Sequence, residues 1–300
     1  MITVFTPTYN RKKELTRLYQ SLLEQDFKDF EWLVVDDGST DETEEMIHKF
    51  IAENKIKINY YKQENRGKSF AHNKGVELAK GEFFVGVDSD DMLVKNSLKL
   101  IYTYFDKIKN NNNIGGISFL DCRQGSNEII GSKFPQNEMV DTYHNLYNKH
   151  KVTGDKKMVF KTSVLREFFF PVYENEKFVP EALLFNRICK KYKLLCVNEP
   201  VIQVEYLADG YSANYFELAK KNPRAQMQYY KELWDLDKSN YNIAAFDLYA
   251  IYAKYGIIKA IKDHPAKFRA LIMFIPAYIK YWQKELKKWK RYYFLVIHLK

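Results

Sequence analysis

The sequence predicts an α/β fold in which a mostly parallel sheet carries helices on both faces, followed by a helical region at the C terminus. Three observations support this prediction. Strand-like and helix-like segments alternate over the first 120 residues, polar clusters follow four of the strand-like segments, and the composition changes near residue 215. Strands that alternate with helices of this length are typical of βαβ units, whose parallel strands are covered on both faces.

The alternation is regular enough to bound each element. The predicted strands are 2–6, 32–35, 56–61 and 83–87, and the predicted helices are 11–25, 42–54, 69–80 and 96–108. Leu15, Leu18 and Leu22 lie on one face of the first helix, which is the spacing of a helix that packs on a sheet. Gly81 ends the third helix. Each helix is therefore long enough to connect two parallel strands.

Composition excludes several classes of protein. The chain has 300 residues, of which 46% are hydrophobic and 28% charged, so disordered and collagen-like architectures are excluded. Its three cysteines (Cys122, Cys189 and Cys196) contain no CxxC pair and suit a reducing compartment. The chain starts directly in a strand-like segment, and it contains no run of roughly 18 apolar residues. We therefore expect neither a secretory signal nor a membrane-spanning helix.

Polar residues follow each of the four predicted strands. The clusters are 7–11, 36–41, 64–69 and 88–91. All four lie at carboxyl ends of strands, which is the edge where open α/β sheets bind their ligands. Helix capping explains any single cluster equally well. Four clusters together, two of them acidic, favour a ligand site.

The fourth cluster places three carboxylates within four residues, at Asp88, Asp90 and Asp91. Like charges this close raise one another's pKa unless a cation intervenes. Mg²⁺ and Mn²⁺ prefer such oxygen ligands and commonly bind one or two carboxylates together with substrate phosphates. The alternative is a solvated turn that caps the helix beginning near Asn96. The cluster is a candidate metal site.

Two familiar nucleotide motifs are absent. Gly67-Lys68-Ser69 before a helix resembles the end of a phosphate-binding loop, but the glycine required five residues earlier is Lys62. No GxGxxG follows the first strand, which argues against a dinucleotide-dependent oxidoreductase. None of the six histidines belongs to an HExxH motif. The sequence therefore favours neither a phosphate-binding-loop nucleotide site nor a dinucleotide site.

In their order and spacing, the clusters resemble family 2 glycosyltransferases, which are inverting sugar-nucleotide enzymes with the GT-A fold, a Rossmann-like nucleotide-binding sheet. The matching motifs are 6–11, 34–41, 65–67, 71–75, 79–83 and 88–91. The match is dense over residues 2 to about 95, looser to about residue 210, and absent beyond. It implies a catalytic domain over residues 1–212, with a nucleotide-binding half (1–110) and an acceptor half (111–212), followed by a helical region (213–300).

The resemblance implies a nucleotide-binding role for several residues. Pro7, Tyr9 and Asp37 would border a uracil-type base and its ribose, with Asp37 accepting hydrogen bonds from the base. Arg66 and Lys68 would lie near the nucleotide. The expected donor is therefore a UDP-sugar.

The resemblance also implies a metal site and a catalytic base. Asp88-Ser89-Asp90 corresponds to the DxD motif of the family, with Asp88 near the ribose or the metal and Asp90 as the main contact of Mn²⁺ or Mg²⁺. Asp91 and Asp155 are weaker site candidates, and Asp155 would touch the donor sugar or the acceptor.

Many relatives carry a Glu-Asp pair at the start of a helix in the second half, where the Asp removes the proton of the acceptor hydroxyl. Here the Asp position is Ala182. Glu181, the remaining acid of the motif, is therefore predicted to be the base. The alternative is an acid that only favours the start of the helix, where it interacts with the helix dipole.

The function implied by the resemblance is the transfer of a hexose or N-acetylhexosamine from a UDP-sugar to a lipid-linked or polysaccharide acceptor, in a bacterial cell-surface polysaccharide pathway. Two other classes remain open. A metal-dependent nucleotidyltransferase would release pyrophosphate instead of a nucleoside diphosphate. A nucleotide-sugar-binding scaffold without catalysis is kept open by Ala182.

The C-terminal region differs sharply in charge from the rest of the chain. Residues 217–300 contain 17 Lys and Arg against 7 Asp and Glu, a net charge of +10, whereas the first 216 residues carry −1. Basic and aromatic residues alternate over 264–300. This pattern favours peripheral contact with an anionic membrane, on the inner, cytoplasmic face. A homo-oligomeric interface is the alternative, and the metal-type site gives no reason to expect a nucleic-acid partner.

Overall fold

The computed structural model describes residues 1–126, 128–205 and 211–237, together with eleven helical positions between 258 and 282. The strands are β1 (Ile2–Thr8), β2 (Phe30–Asp36), β3 (Ile58–Lys62), β4 (Phe83–Gly86), β5 (Met92–Leu93), β6 (Ile114–Arg123), β7 (Met139–Asp141), β8 (Lys156–Lys161) and β9 (Lys193–Val204). The helices are α1 (Lys12–Leu23), α2 (Thr43–Glu53), α3 (Lys68–Leu78), α4 (Ser97–Ile108), α5 (Tyr143–Asn148), α6 (Thr162–Leu165), α7 (Glu181–Cys189), α8 (Tyr211–Lys221) and α9 (Pro223–Leu236). Most of the predicted C-terminal region lies outside the described residues.

The nine strands form one sheet in the order β3-β2-β1-β4-β8-β6-β9-β5, with β7 paired to β9. The first four strands are parallel, which confirms the fold class predicted from the alternation. The later strands add antiparallel pairs on β8 and β9, so the sheet as a whole is mixed. Loops and short helices join most of the later strands, and such connections permit antiparallel pairing. A parallel pair requires a longer connection that crosses from one end of the sheet to the other.

The core explains why the first half was predictable. Every residue of β1 and β2 is buried, as expected for strands that are covered on both faces. The predicted apolar face of α1 is also buried, since Leu15, Leu18 and Leu22 have no exposed surface. Removing surfaces of this kind from water stabilises a fold by about 25 cal/mol per Å². The three cysteines are buried free thiols.

One buried charge was not predicted. The predicted strand starts at Trp32 because Glu31 is charged, yet Glu31 lies within β2 and is completely buried. Its carboxylate accepts hydrogen bonds from Thr3 Oγ1 (2.7 Å), Asn59 Nδ2 (2.8 Å) and the backbone N–H of Lys80 (2.7 Å). A buried carboxylate is tolerated when such donors satisfy it.

The chain separates into two compact units. The first comprises 1–177 and 184–213, and the second comprises 178–183 and 214–300. Within the second unit, Pro223 occupies the first turn of α9, and the Asn222 side chain accepts a hydrogen bond from the backbone N–H of Phe178 (3.1 Å).

Among the helices of the described residues, none has an apolar stretch long enough to cross a bilayer.

Candidate active site

The predicted site lies at the carboxyl ends of the parallel strands, where the strand order changes direction between β1 and β4. The carboxyl ends of β1 and β4 are adjacent, because Val87 continues the pairing by donating its N–H to the carbonyl of Phe5 (2.8 Å). From β1 the chain passes to β2 on one side, whereas β4 lies on the other side of β1. In open α/β sheets such a change of direction opens the crevice in which ligands bind.

Two loops at this edge are tied together by Asn10. Asn10 adopts a left-handed backbone conformation (φ 52°), and its side-chain oxygen accepts hydrogen bonds from the N–H groups of Thr40 (2.8 Å) and Asp41 (3.4 Å). The neighbouring Tyr9 keeps 47% of its surface exposed, whereas Pro7 is buried within β1. Of these two predicted nucleotide contacts, Tyr9 is the one that presents side-chain surface to solvent.

Asp37 stabilises the loop before α3 through hydrogen bonds. It is 5% exposed, and its carboxylate accepts hydrogen bonds from Gln63 Nε2 (2.7 Å) and from the N–H groups of Arg66 (2.9 Å) and Gly67 (2.7 Å). A carboxylate offers about four acceptor positions. Three are occupied by the protein, so Asp37 has a structural role that the motif did not reveal, and roughly one position is left for a base.

Gly67 lets this loop lie against another part of the chain. Its φ of 95° belongs to the left-handed region, and a Cβ at this position would lie 1.9 Å from the carbonyl oxygen of Lys177. Only glycine fits both conditions. The Lys177 ammonium also donates a hydrogen bond to Asn65 Oδ1 (2.7 Å). The loop is therefore held in place immediately before Lys68, the first residue of α3.

Lys68 connects this loop to the acidic cluster. Its Nζ lies 2.7 Å from Asp88 Oδ2, while the Asp88 side chain keeps 42% of its exposure. Burial by surrounding atoms acts to raise the pKa of Asp88, but the charges of Lys68 and Lys157 outweigh it and hold that pKa below its ordinary value. Asp88 is therefore an ionised, accessible carboxylate near two ammonium groups.

The other two acids of the cluster differ from Asp88. Burial, followed by the charge of Asp88, raises the pKa of Asp90, which is half-buried. Asp91 is 6% exposed, and burial raises its pKa to about 8. Burial therefore favours the protonated form of Asp91 when no cation is bound. Ser89 is buried between the two DxD acids.

Asp88 and Asp90 suit a hard divalent cation that takes its remaining ligands from a phosphate. Within the described parts of the chain, no group of three or more His, Cys, Asp or Glu side chains is placed to hold a metal ion alone. The fit to Mn²⁺ or Mg²⁺ rests on the oxygen chemistry of the two carboxylates, which leaves further ligand positions for a diphosphate.

The Asp155 loop is fixed by a buried ammonium group. Asp155 itself is exposed, whereas the next residue, Lys156, is buried. Lys156 Nζ donates to the carbonyl oxygens of Thr153 (2.8 Å), Ile130 (3.1 Å) and Asp155 (3.1 Å). An ammonium has three protons to donate, so these contacts hold the loop in one conformation and fix the backbone that carries Asp155.

Two further predicted residues are exposed. Arg66 stacks its guanidinium over the ring of Phe70, with 3.6 Å between the guanidinium carbon and the ring centroid. Glu181 is the first residue of α7 and belongs to the second compact unit. Both side chains are charged groups accessible from solvent.

Sequence reasoning missed Asp121. This residue lies in β6, is 3% exposed, and its Oδ1 has no hydrogen-bond partner within the described part of the chain. Burial raises the pKa of Asp121 to about 6; the Lys157 charge opposes this shift, and those of Asp155 and Asp88 reinforce it. The sequence signal was a single acid inside the otherwise apolar run 119–122.

Replacing Asp121 by asparagine is expected to stabilise the protein above pH 6. The folded state holds the Asp121 proton up to about pH 6, whereas an unfolded aspartate loses it near pH 4. The contribution of Asp121 to stability is therefore lost as the pH rises through the folded-state pKa. The variant should equal the wild type near pH 4 and exceed it by about 1–3 kcal/mol above pH 7, as measured by urea unfolding.

The exposed Asp106 supplies the control, since Asp106→Asn removes a carboxylate that pairs with Lys109 on the surface. Its effect on stability should not follow the same pH profile. An Asp121→Asn protein less stable than the wild type above pH 7 would contradict the interpretation.

Comparison with known families gives one match over more than half of the chain. The family model described as "Glycosyl transferase family 2" matches residues 3–169. Among curated proteins, the minor teichoic acid biosynthesis protein GgaB of Bacillus subtilis (strain 168) is 27% identical over 295 residues, covering 96% of this chain and 29% of that protein. The poly(ribitol-phosphate) beta-N-acetylglucosaminyltransferase TarS of Staphylococcus aureus (strain Mu50) is 37% identical over 107 residues, covering 35% of this chain and 19% of TarS. The chain thus spans less than a third of the length of these relatives.

Two solved structures resemble the chain over most of its length. The crystal structure of S. aureus TarS 1–349 in complex with UDP-GlcNAc has a TM-score of 0.59 at 23% identity and covers 92% of this chain and 79% of that one. The mannosyltransferase PcManGT from Pyrobaculum calidifontis, in complex with GDP-Man and Mn²⁺, has a TM-score of 0.53 at 20% identity and covers 93% of this chain and 75% of that one. At these identities the likeness shows a shared fold.

Proposed function

Because the chain belongs to glycosyl transferase family 2 and has the GT-A fold, we propose that it moves one sugar from a UDP-sugar to an acceptor hydroxyl with inversion of the anomeric centre. The observation that carries the proposal is the series of contacts at the strand ends. Asp37 holds the loop that leads to Lys68, and Lys68 reaches Asp88. These contacts bring together polar groups from three strand ends, as a sugar-nucleotide site requires.

The donor is proposed to be a UDP-hexose or a UDP-N-acetylhexosamine. Tyr9 supplies an exposed aromatic face on which a base can stack, and Asp37 retains an acceptor position for a base N–H. Arg66 and Lys68 supply positive charge for the diphosphate. The complex of the similar TarS structure with UDP-GlcNAc supports this class of donor.

Asp88 and Asp90 are proposed to hold a divalent cation, Mn²⁺ or Mg²⁺. When bound there with the donor, the ion would neutralise the negative charge that develops on the departing diphosphate. Lys68 pairs with Asp88 in the structure and keeps that carboxylate ionised. Asp88 is therefore kept in the protonation state that a cation needs.

Glu181 is proposed as the base. Its carboxylate would take the proton of the acceptor hydroxyl as the oxygen bonds to the anomeric carbon, and the bond to the UDP oxygen breaks on the opposite face. Its exposure and its place in the first turn of α7 support the assignment, because an acceptor must reach it from solvent.

The acceptor is proposed to be lipid-linked or a growing cell-surface polymer, at the inner face of the cell membrane. The similar proteins GgaB and TarS carry names that refer to teichoic acid and poly(ribitol phosphate), which supports a phosphate-rich bacterial wall polymer. The basic C-terminal region supports peripheral contact with that membrane.

One assay separates the proposed function from its two rivals. The chain is incubated with a panel of UDP-sugars and Mn²⁺, and the release of UDP and of pyrophosphate is measured. We expect UDP from one or a few donors, with a rate that falls at least about tenfold in EDTA and recovers when Mn²⁺ is restored. Pyrophosphate release would replace the proposal with nucleotidyl transfer, and donor binding without release of either product would replace it with a scaffold.

A further inference from the structure

A stripe of apolar side chains lies exposed on helical positions near the C terminus. The stripe consists of Phe268, Leu271, Ile272, Ile275, Tyr278, Ile279 and Trp282. Their exposure ranges from 38% for Tyr278 to 75% for Phe268. Successive members are one or three residues apart, which is the spacing of side chains on one side of a helix. Folded proteins rarely leave a continuous apolar surface of this kind facing water unless it binds something.

In the sequence, the same stretch is rich in basic residues. They are Lys262, Lys267, Arg269, Lys280, Lys284, Lys287, Lys288, Lys290 and Arg291. Of these, Lys262 and Lys267 are among the described helical positions and are exposed. The apolar periodicity of the stripe continues in the sequence at Leu286, Trp289 and Tyr293. The segment thus combines an exposed, aromatic-rich apolar stripe with a strongly basic composition.

We propose that the apolar stripe inserts into the interfacial layer of an anionic lipid membrane, with its axis in the plane of the surface. A helix with Trp, Phe and Leu on one face and Lys and Arg on the other is the type that lies in this layer. The net charge of +10 over 217–300 is complementary to acidic lipid headgroups, whereas the same charge on a second copy of this chain would repel it. The proposal assigns the membrane contact to particular side chains of the stripe. It rests on the proposed function only for the expectation that the protein works at the membrane surface.

Flotation of the full chain with lipid vesicles tests the proposal. Vesicles of phosphatidylcholine with phosphatidylglycerol should carry the wild-type chain, and phosphatidylcholine alone should carry less of it. Ile275→Glu places a carboxylate in the middle of the stripe and should lower partitioning onto the anionic vesicles at least about tenfold, because an apolar contact becomes a charge facing acidic lipid. Val172→Glu makes the same kind of change on a side chain that is 52% exposed in the first unit, and it should leave partitioning unchanged.

Three results would overturn the proposal. The wild type could fail to float with anionic vesicles, or Ile275→Glu could float as well as the wild type. In vesicle-free sedimentation, Ile275→Glu could convert an oligomer into a monomer, which would mean that a second copy covers the stripe. UDP release by Ile275→Glu, measured in parallel, shows that the variant is folded. A wild type that floats but releases no UDP from any donor would contradict the proposed function and leave the membrane contact supported.

Discussion

Asp90→Asn is expected to lower the rate of UDP release about 100- to 1,000-fold at saturating donor. The change removes one negative oxygen from the proposed ion site while keeping the shape of the side chain. Asp88 is already counted as the other proposed ligand, so the variant leaves the ion with a single carboxylate of the pair. The measurement is the initial rate of UDP release over a range of Mn²⁺ concentrations, and part of the loss should be recovered at high Mn²⁺.

Asp90 is a better test than Asp88, since replacing Asp88 would also remove the partner of Lys68 and disturb the loop before α3. Asp106→Asn is the matched control, because Asp106 is an exposed acid on α4, and its rate should equal that of the wild type. If Asp90→Asn turned over at the normal rate at every Mn²⁺ concentration, the carboxylate would have no part in ion binding.

Glu181→Gln is expected to lower the rate of transfer to the acceptor about 100- to 10,000-fold while donor affinity stays unchanged. Glutamine retains the size of the side chain and its place in the first turn of α7, but it cannot take a proton from the acceptor hydroxyl. The measurement is kcat and KM for transfer, together with the dissociation constant of UDP from calorimetry.

Glu174→Gln is the control for Glu181→Gln, because Glu174 is an exposed glutamate seven positions earlier in the chain. Its kcat and KM should remain those of the wild type. Near-normal turnover by Glu181→Gln would assign the proton transfer to another group. A loss of UDP affinity equal to the loss of rate would instead point to a role in holding the donor.

The first half of the fold was predictable because its signals are local. Apolar strands buried on both faces and spacers of helical length occur within short windows of sequence, and the observed elements begin and end within a few residues of the predicted ones. Helical crossovers account for the parallel pairing of β1 to β4, but the order β3-β2-β1-β4 was not predicted, because crossovers do not fix which strands become neighbours. The antiparallel pairs of β8 were not predicted, because they depend on strands that are distant in the chain.

The roles of individual charges were less predictable than their positions. The motifs placed Asp37 beside a base, but its carboxylate accepts three hydrogen bonds from the loop at 63–67. Glu31 and Asp121 look out of place in their strands, and only their surroundings distinguish the satisfied Glu31 from Asp121, which has an unpartnered oxygen. Such differences are decided by the neighbours that folding supplies.

Sequence by itself determined where the polar groups leave the sheet, since the end of each apolar strand is marked within a few residues of the chain. Tertiary structure decided which of those groups meet and in what protonation state. Lys68 reaches Asp88 across 20 positions, and Gly67 lies against Lys177 across 110. The physical reason is that hydrogen bonding and burial depend on distance in space, whereas a motif records only distance along the chain.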